Sequence, residues 1–97
     1  MAKRLELKDT IELMNSADYK ERFRAEYAQL QIRRCKLFDM LYKWDNGELK
    51  FAPTCPRGLY TVQLSIMDSG LALLEERARL EGVNLSDIQH GEIHSKA

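Results

Sequence analysis

Residues 59–80 read LYTVQLSIMDSGLALLEERARL, and the spacing of their apolar side chains decides the fold. Leu59, Val62, Ile66, Leu73 and Leu80 recur at steps of three, four or seven. Tyr60, Leu64, Met67, Leu71, Leu74 and Ala78 follow the same rule, turned partly around the axis. Both series fit a period of about 3.6 residues and neither fits alternation, so the stretch reads as an α-helix. One neighbour covers an apolar stripe about 100° wide, and this helix carries roughly twice that arc. The expectation is a helix set between two layers, one of them from a second subunit, with Val62, Ile66, Leu73 and Leu80 at the subunit interface.

Working outward, Gly82 stops this helix and Pro56 stands before it. Thr54 or Cys55 is expected to cap it, with Pro56 at the first helical position, where a missing N–H costs nothing. Residues 48–55, ELKFAPTC, form a connector that two prolines within four residues, Pro53 and Pro56, keep from being helical. Before the connector, Asn46-Gly47 is a helix-ending pair, since both residues tolerate the left-handed conformation. From 17 to 45 the period is helical again, with Phe23, Tyr27, Leu30, Leu37, Leu41 and Trp44 in one stripe and Arg34 filling a gap in it. Asn15-Ser16 reads as a break and a fresh N-cap. Ile11, Leu13 and Met14 give a short helix before it, and Asp9 with Glu12 resembles a capping box.

The fold class that follows is all-α. A short N-terminal helix precedes a long antiparallel helical hairpin, which assembles into a helical homo-oligomer. The 97 residues make one domain, with 1–8 and 86–97 expected to be frayed or docked on a partner. Fifteen basic residues balance fifteen acidic ones, so no global charge argues for a DNA or RNA polymer or for a membrane surface. Along the chain the balance is uneven. Residues 17–58 hold nine Lys/Arg against six Asp/Glu, and 59–97 hold three against six. Opposite excess on the two arms suits a hairpin.

No apolar run approaches the roughly 18 residues of a membrane span. The start, MAKRLELKDT, has no apolar signal core, and a cytoplasmic location is expected. Cys35 and Cys55 read as free thiols. The pair His90 and His94 is a weak metal candidate because Gly91 lies between them in a polar tail. No Ser/His/Asp set, paired carboxylates or glycine-rich phosphate loop is present. The expectation is therefore no catalysis, no metal and no cofactor.

The strongest ligand candidate is the start of the second long helix. Free N–H groups at a helix N-terminus favour anions, Arg57 offers a planar donor fork, and Thr54 and Gly58 lie alongside. A hairpin brings Trp44 and Tyr60 to the same end, where they can stack on a base. The bland alternative is a capped helix with a solvated arginine and aromatic residues plugging the hairpin end. Arg34, inside an apolar stripe, needs a ligand or a carboxylate, and Asp68, Glu75 and Glu76 on the opposite arm are the candidate partners.

Gln63, Ser65 and Met67, on a final long helix after a proline-bearing loop, resemble the small helical anti-CBASS sponge proteins of phages. That resemblance implies an oligomer that sequesters cyclic oligonucleotide signals without chemistry, inside the host cytoplasm. The runs SADYKERFRAEYAQL, FAPTCPRGLY and LEERARLEGVNL also resemble uncharacterised small phage and prophage proteins. Where the sponges carry a glycine, this chain has Ser65, and Gly70 falls one turn later. A protein that binds and blocks another protein is the competing reading, since an apolar helix face serves that equally well.

Overall fold

The computed structural model describes residues 4–93. A 3-10 turn, Leu7–Thr10, runs into the short helix α1, Ile11–Met14. Two long helices follow, α2 (Tyr19–Asp45) and α3 (Arg57–Glu81), and a final turn of helix, α4, spans Ser86–Gln89. The described residues contain no strand. The expected architecture of a short helix before a long hairpin is what the chain forms.

The helix ends show why. Asp18 accepts the Lys20 N–H at 2.9 Å and is the true N-cap of α2, while Ser16 takes the Asp18 N–H one step earlier. At the other end Asn46 donates its side-chain amide to Tyr42 O, and Gly47 takes φ +71°. Glu48 N then reaches Lys43 O at 2.8 Å, closing the last carbonyls as a glycine C-cap does. Gly82, at φ +74°, ends α3 in the same way. The box expected between Asp9 and Glu12 forms instead between Asp9 and Glu6, whose N–H donates to the Asp9 carboxylate at 2.9 Å.

The hairpin is antiparallel. Tyr27 meets Glu75, Arg34 meets Asp68 and Asp45 meets Arg57, so one number falls as the other rises. At its middle a Cβ on Gly70 would stand 3.2 Å from Leu30 Cδ2. Glycine here lets the two helices approach, which offsets its cost of about 1 kcal/mol relative to alanine inside a helix.

The helix at the centre of the packing is α2, not α3. Its Phe23, Tyr27 and Ala28 face Leu74 and Ala78 of α3. On another side Gln29 donates to Thr10, and α1 lies against α2 with Leu13 buried. Small side chains, Ala25 and Ala28, admit neighbours on two sides, a signal that a search for large apolar stripes passes over. Of the two α3 stripes, only the second is covered within the chain. Leu59, Val62, Ile66, Leu73 and Leu80 are each 55–70% exposed.

The segment after Gly82 departs from the expectation of a frayed or partner-docked tail. Val83, Leu85 and Ile88 enter the main core, and Ile93 packs against it. Arg24 secures them: its guanidinium donates to both Asp87 carboxylate oxygens, at 2.8 and 2.6 Å, and to Asn84 O. The loose apolar spacing of 83–93 hid this, because the segment turns too sharply to keep one period. At the N-terminus, Arg4 is held to Asp39 at 2.5 Å. Leu7 and Lys8 lie in the 3-10 turn, and residues 1–3 and 94–97 of the two expected frayed ends lie outside the described ones.

Candidate functional site at the closed end of the hairpin

The loop 48–55 leaves α2 at the Asn46-Gly47 cap and enters α3 through Pro56, whose ψ of 146° makes it the N-cap. Neither Thr54 nor Cys55 caps the helix, and no side chain does so. Pro56 is extended because its ring fixes φ and its carbonyl must turn to accept Leu59 N–H, at 3.1 Å. That displaces the expected first position by one, to Arg57. The exposed Thr54 makes no hydrogen bond among the described residues. A Cβ on Gly58 would meet nothing within 4 Å, so packing does not demand glycine there.

Arg57 does not point freely at solvent. Its Nε and Nη2 donate to the two oxygens of Asp45 at 3.1 and 2.9 Å, a bidentate fork across the hairpin. Its remaining Nη1 donates to Thr61. The guanidinium lies 6.0 Å from the Trp44 ring centre, and Trp44 meets Tyr60 edge to face at 6.0 Å. The hydrogen bonds from Arg57 hold the Asp45 carboxyl below the usual carboxylate range. This end is therefore neutral where the sequence suggested a cation.

Trp44, Arg57, Gly58, Tyr60 and Thr54 thus share one end of the molecule, as expected from the hairpin. Arg34 does not join them. It stands ten residues before Trp44 on α2, about 15 Å along the axis, with Nε 2.7 Å from Asp68 and its guanidinium over the Phe38 ring. That is the structural partner expected among the three acidic residues.

Sequence reasoning missed three residues here. Asp45 and Thr61 complete the Arg57 network. Phe51, 59% exposed, helps line a concavity of about 350 Å3 with Trp44, Gly47 and Pro53. Asp45 was findable, because the last residue of one arm must oppose the first residue of the other across a short loop.

Among the described residues no group of three His, Cys, Asp or Glu could hold a metal. His90 has Nδ1 2.6 Å from Ser86 O, and His94 lies outside the described residues. No described helix is long and apolar enough to cross a membrane.

Fold and site together define a small all-helical hairpin protein with an aromatic, arginine-bearing closed end and one apolar helix face uncovered within the chain. A family model, Sequestin, matches residues 17–80, and the chain belongs to that family. The match spans both arms and the loop that joins them. No curated protein and no solved structure matches the chain.

Proposed function

We propose that this chain is a phage-encoded binding protein that sequesters a small phosphorylated nucleotide signal, of the cyclic-oligonucleotide type, without transforming it. Membership of Sequestin carries the first half of that reading, since the family's name denotes sequestration. The observation that carries the second half is the cluster of Arg57, Trp44 and Tyr60 beside an uncapped helix start. Backbone N–H groups and a guanidinium answer phosphate, and aromatic faces answer bases.

Asp45 is the ligand's competitor in this site. A phosphate that displaces it from the Arg57 fork gains two charge-assisted hydrogen bonds and leaves Asp45 to water. Nanomolar capture requires about 12 kcal/mol, more than one exposed end of a hairpin supplies. The site is therefore shared between subunits. The open stripe of α3, with Val62, Ile66, Leu73 and Leu80, is the surface on which a second copy packs. Leu73→Glu places a charge in that stripe. It is expected to dissociate the assembly in a sedimentation experiment while the helical circular dichroism remains, and a monomeric unmodified protein at micromolar concentration rejects the shared site.

Calorimetric titration with cyclic di- and trinucleotides and cyclic ADP-ribose isomers tests the ligand class. Saturable heat is expected with at least one of them, and Arg57→Ala is expected to weaken it at least tenfold. Unchanged affinity in that variant means that the site lies elsewhere, with Arg34 the next to replace. The exposed α3 stripe equally favours a second reading, a protein that docks on another protein and blocks it. Ultraviolet absorbance of the purified protein separates the two. Captured nucleotide adds absorbance at the nucleobase maximum, and a protein blocker adds none.

A further inference from the structure

A second and larger cleft, of about 630 Å3, lies on a different face of α2. Three pieces of chain build it: the N-terminal segment at Arg4 and Leu5, the α2 stretch from Gln31 to Lys36, and the end of α4 with its following turn. The first and third pieces fall outside the matched segment 17–80. The two ends of the chain thus converge on the middle of the hairpin's first arm and wall a cavity there.

Its chemistry is graded. Ile32 and Ile88 are 6% and 0% exposed and, with Leu5, make an apolar floor. The rim carries nitrogen. Lys36 is exposed and has no ion pair among the described residues, while Arg4 spends Nη1 on Asp39 and keeps other N–H groups of its fork. The Nδ1 of His90 sits against Ser86 O, so that nitrogen holds the proton and Nε2 is the ring's other polar atom. The one carboxylate on the lining, Glu6, is drawn toward Lys8 at 3.5 Å. An apolar floor under a rim with one cation unpaired among the described residues, Lys36, and the spare N–H groups of Arg4, in a volume within the roughly 300–1,000 Å3 of small-ligand sites, suits an anion that carries a flat or apolar body.

We infer that this cleft is a second binding site, for a small phosphorylated ligand of about the size of one nucleotide, with its ring on Leu5 and Ile32 and its phosphate at Lys36 and Arg4. It is separate from the closed end of the hairpin and does not depend on what binds there.

The two free cysteines report on the two places. Cys35 lines the cleft, and Cys55 stands one residue before the Pro56 cap at the closed end. The test is the rate at which iodoacetamide alkylates each thiol, read by peptide mass spectrometry on the full chain, with adenosine 5′-monophosphate as the probe. At about ten times its dissociation constant a bound ligand slows alkylation about tenfold, because only the free protein reacts. Saturable protection of Cys35 is expected, with Cys55 unchanged and with weaker protection by adenosine or by inorganic phosphate alone. Lys36→Glu is expected to abolish the protection and, since Lys36 is exposed, to leave the melting temperature where it was. Absent protection of Cys35, protection of Cys55 instead, equal protection by adenosine, or protection that survives Lys36→Glu each overturns the inference. Failure of the cyclic nucleotides in calorimetry does none of these, so the two proposals fall separately.

Discussion

Two bidentate arginine–aspartate pairs tie down opposite ends of the hairpin, Arg24 through Nη1 and Nη2 and Arg57 through Nε and Nη2. Arg24 and Asp87 have side chains 8% and 10% exposed, against 36% and 57% for Arg57 and Asp45. The first joins α2 to the C-terminal segment, with the buried Glu21 carboxylate 3.6 Å from Arg24 on its other side. The second closes the loop end, where α3 contributes no buried residue before Leu74. An ion pair shielded from water costs several kcal/mol to break, because the abandoned charge stays buried. A pair in water costs little to break, since solvent takes both groups. The buried pair is therefore architecture, and the exposed pair is exchangeable.

The sharpest way to break that contrast is Asp87→Ala. It takes the bidentate partner from Arg24, leaving the buried Glu21 carboxylate 3.6 Å away and the Asn84 carbonyl, and is expected to destabilise the protein by about 3 kcal/mol, read as a lowered denaturant midpoint. Replacing the whole buried set, Arg24→Met with Asp87→Leu and Glu21→Gln, is expected to recover most of that loss, since Glu21 is itself 6% exposed and paired with Arg24. If Asp87→Ala proves nearly neutral, water reaches Arg24 and the two ends are alike.

A pH titration probes the same core. Burial, helped by the bond to Glu75, pushes the Tyr27 hydroxyl up to about 12. An unfolded tyrosine ionises near 10. The folded group therefore holds its proton longer, its contribution to stability is complete below about pH 10, and it is lost as pH rises toward 12. Tyrosinate absorbance is expected to show two of the four tyrosines titrating late, Tyr27 together with alkaline unfolding and the exposed Tyr19, raised by its hydrogen bond to Glu81. Tyr27→Phe removes the part that coincides with unfolding.

At the exposed end the expected changes are smaller. Gly58→Ala meets only open space and is expected to stabilise α3 by about 0.5–1 kcal/mol. The same change is expected to weaken ligand binding if phosphate approaches the helix start closely. Equal stability and equal affinity would remove Gly58 from the site. Asp45→Ala has the smallest expected effect on folding, with little change in melting temperature, yet it frees the Arg57 fork. Tighter binding of a phosphorylated ligand is the expected sign, and weaker binding would show that Asp45 organises the site.

Local chemistry in the chain determined the helices themselves. The Asn46-Gly47 and Gly82 stops and the proline-bearing loop are backbone preferences that no distant contact has to supply, and the observed ends lie at those residues. The antiparallel hairpin then follows from the short loop. With it come the company of Trp44, Arg57 and Tyr60 and the pairing of Arg34 with Asp68. Tertiary structure decided the rest. That α2 is the central helix depends on which of several stripes finds a partner, and Ala25 and Ala28 count as much there as leucine. The entry of residues 83–93 into the core depends on Arg24 meeting Asp87, 63 positions apart, a contact with no trace in local periodicity. The neutralisation of Arg57 by Asp45 is likewise a matter of distance in space. A residue's type states which bonds it can make, and only the packed chain states which of them are already made.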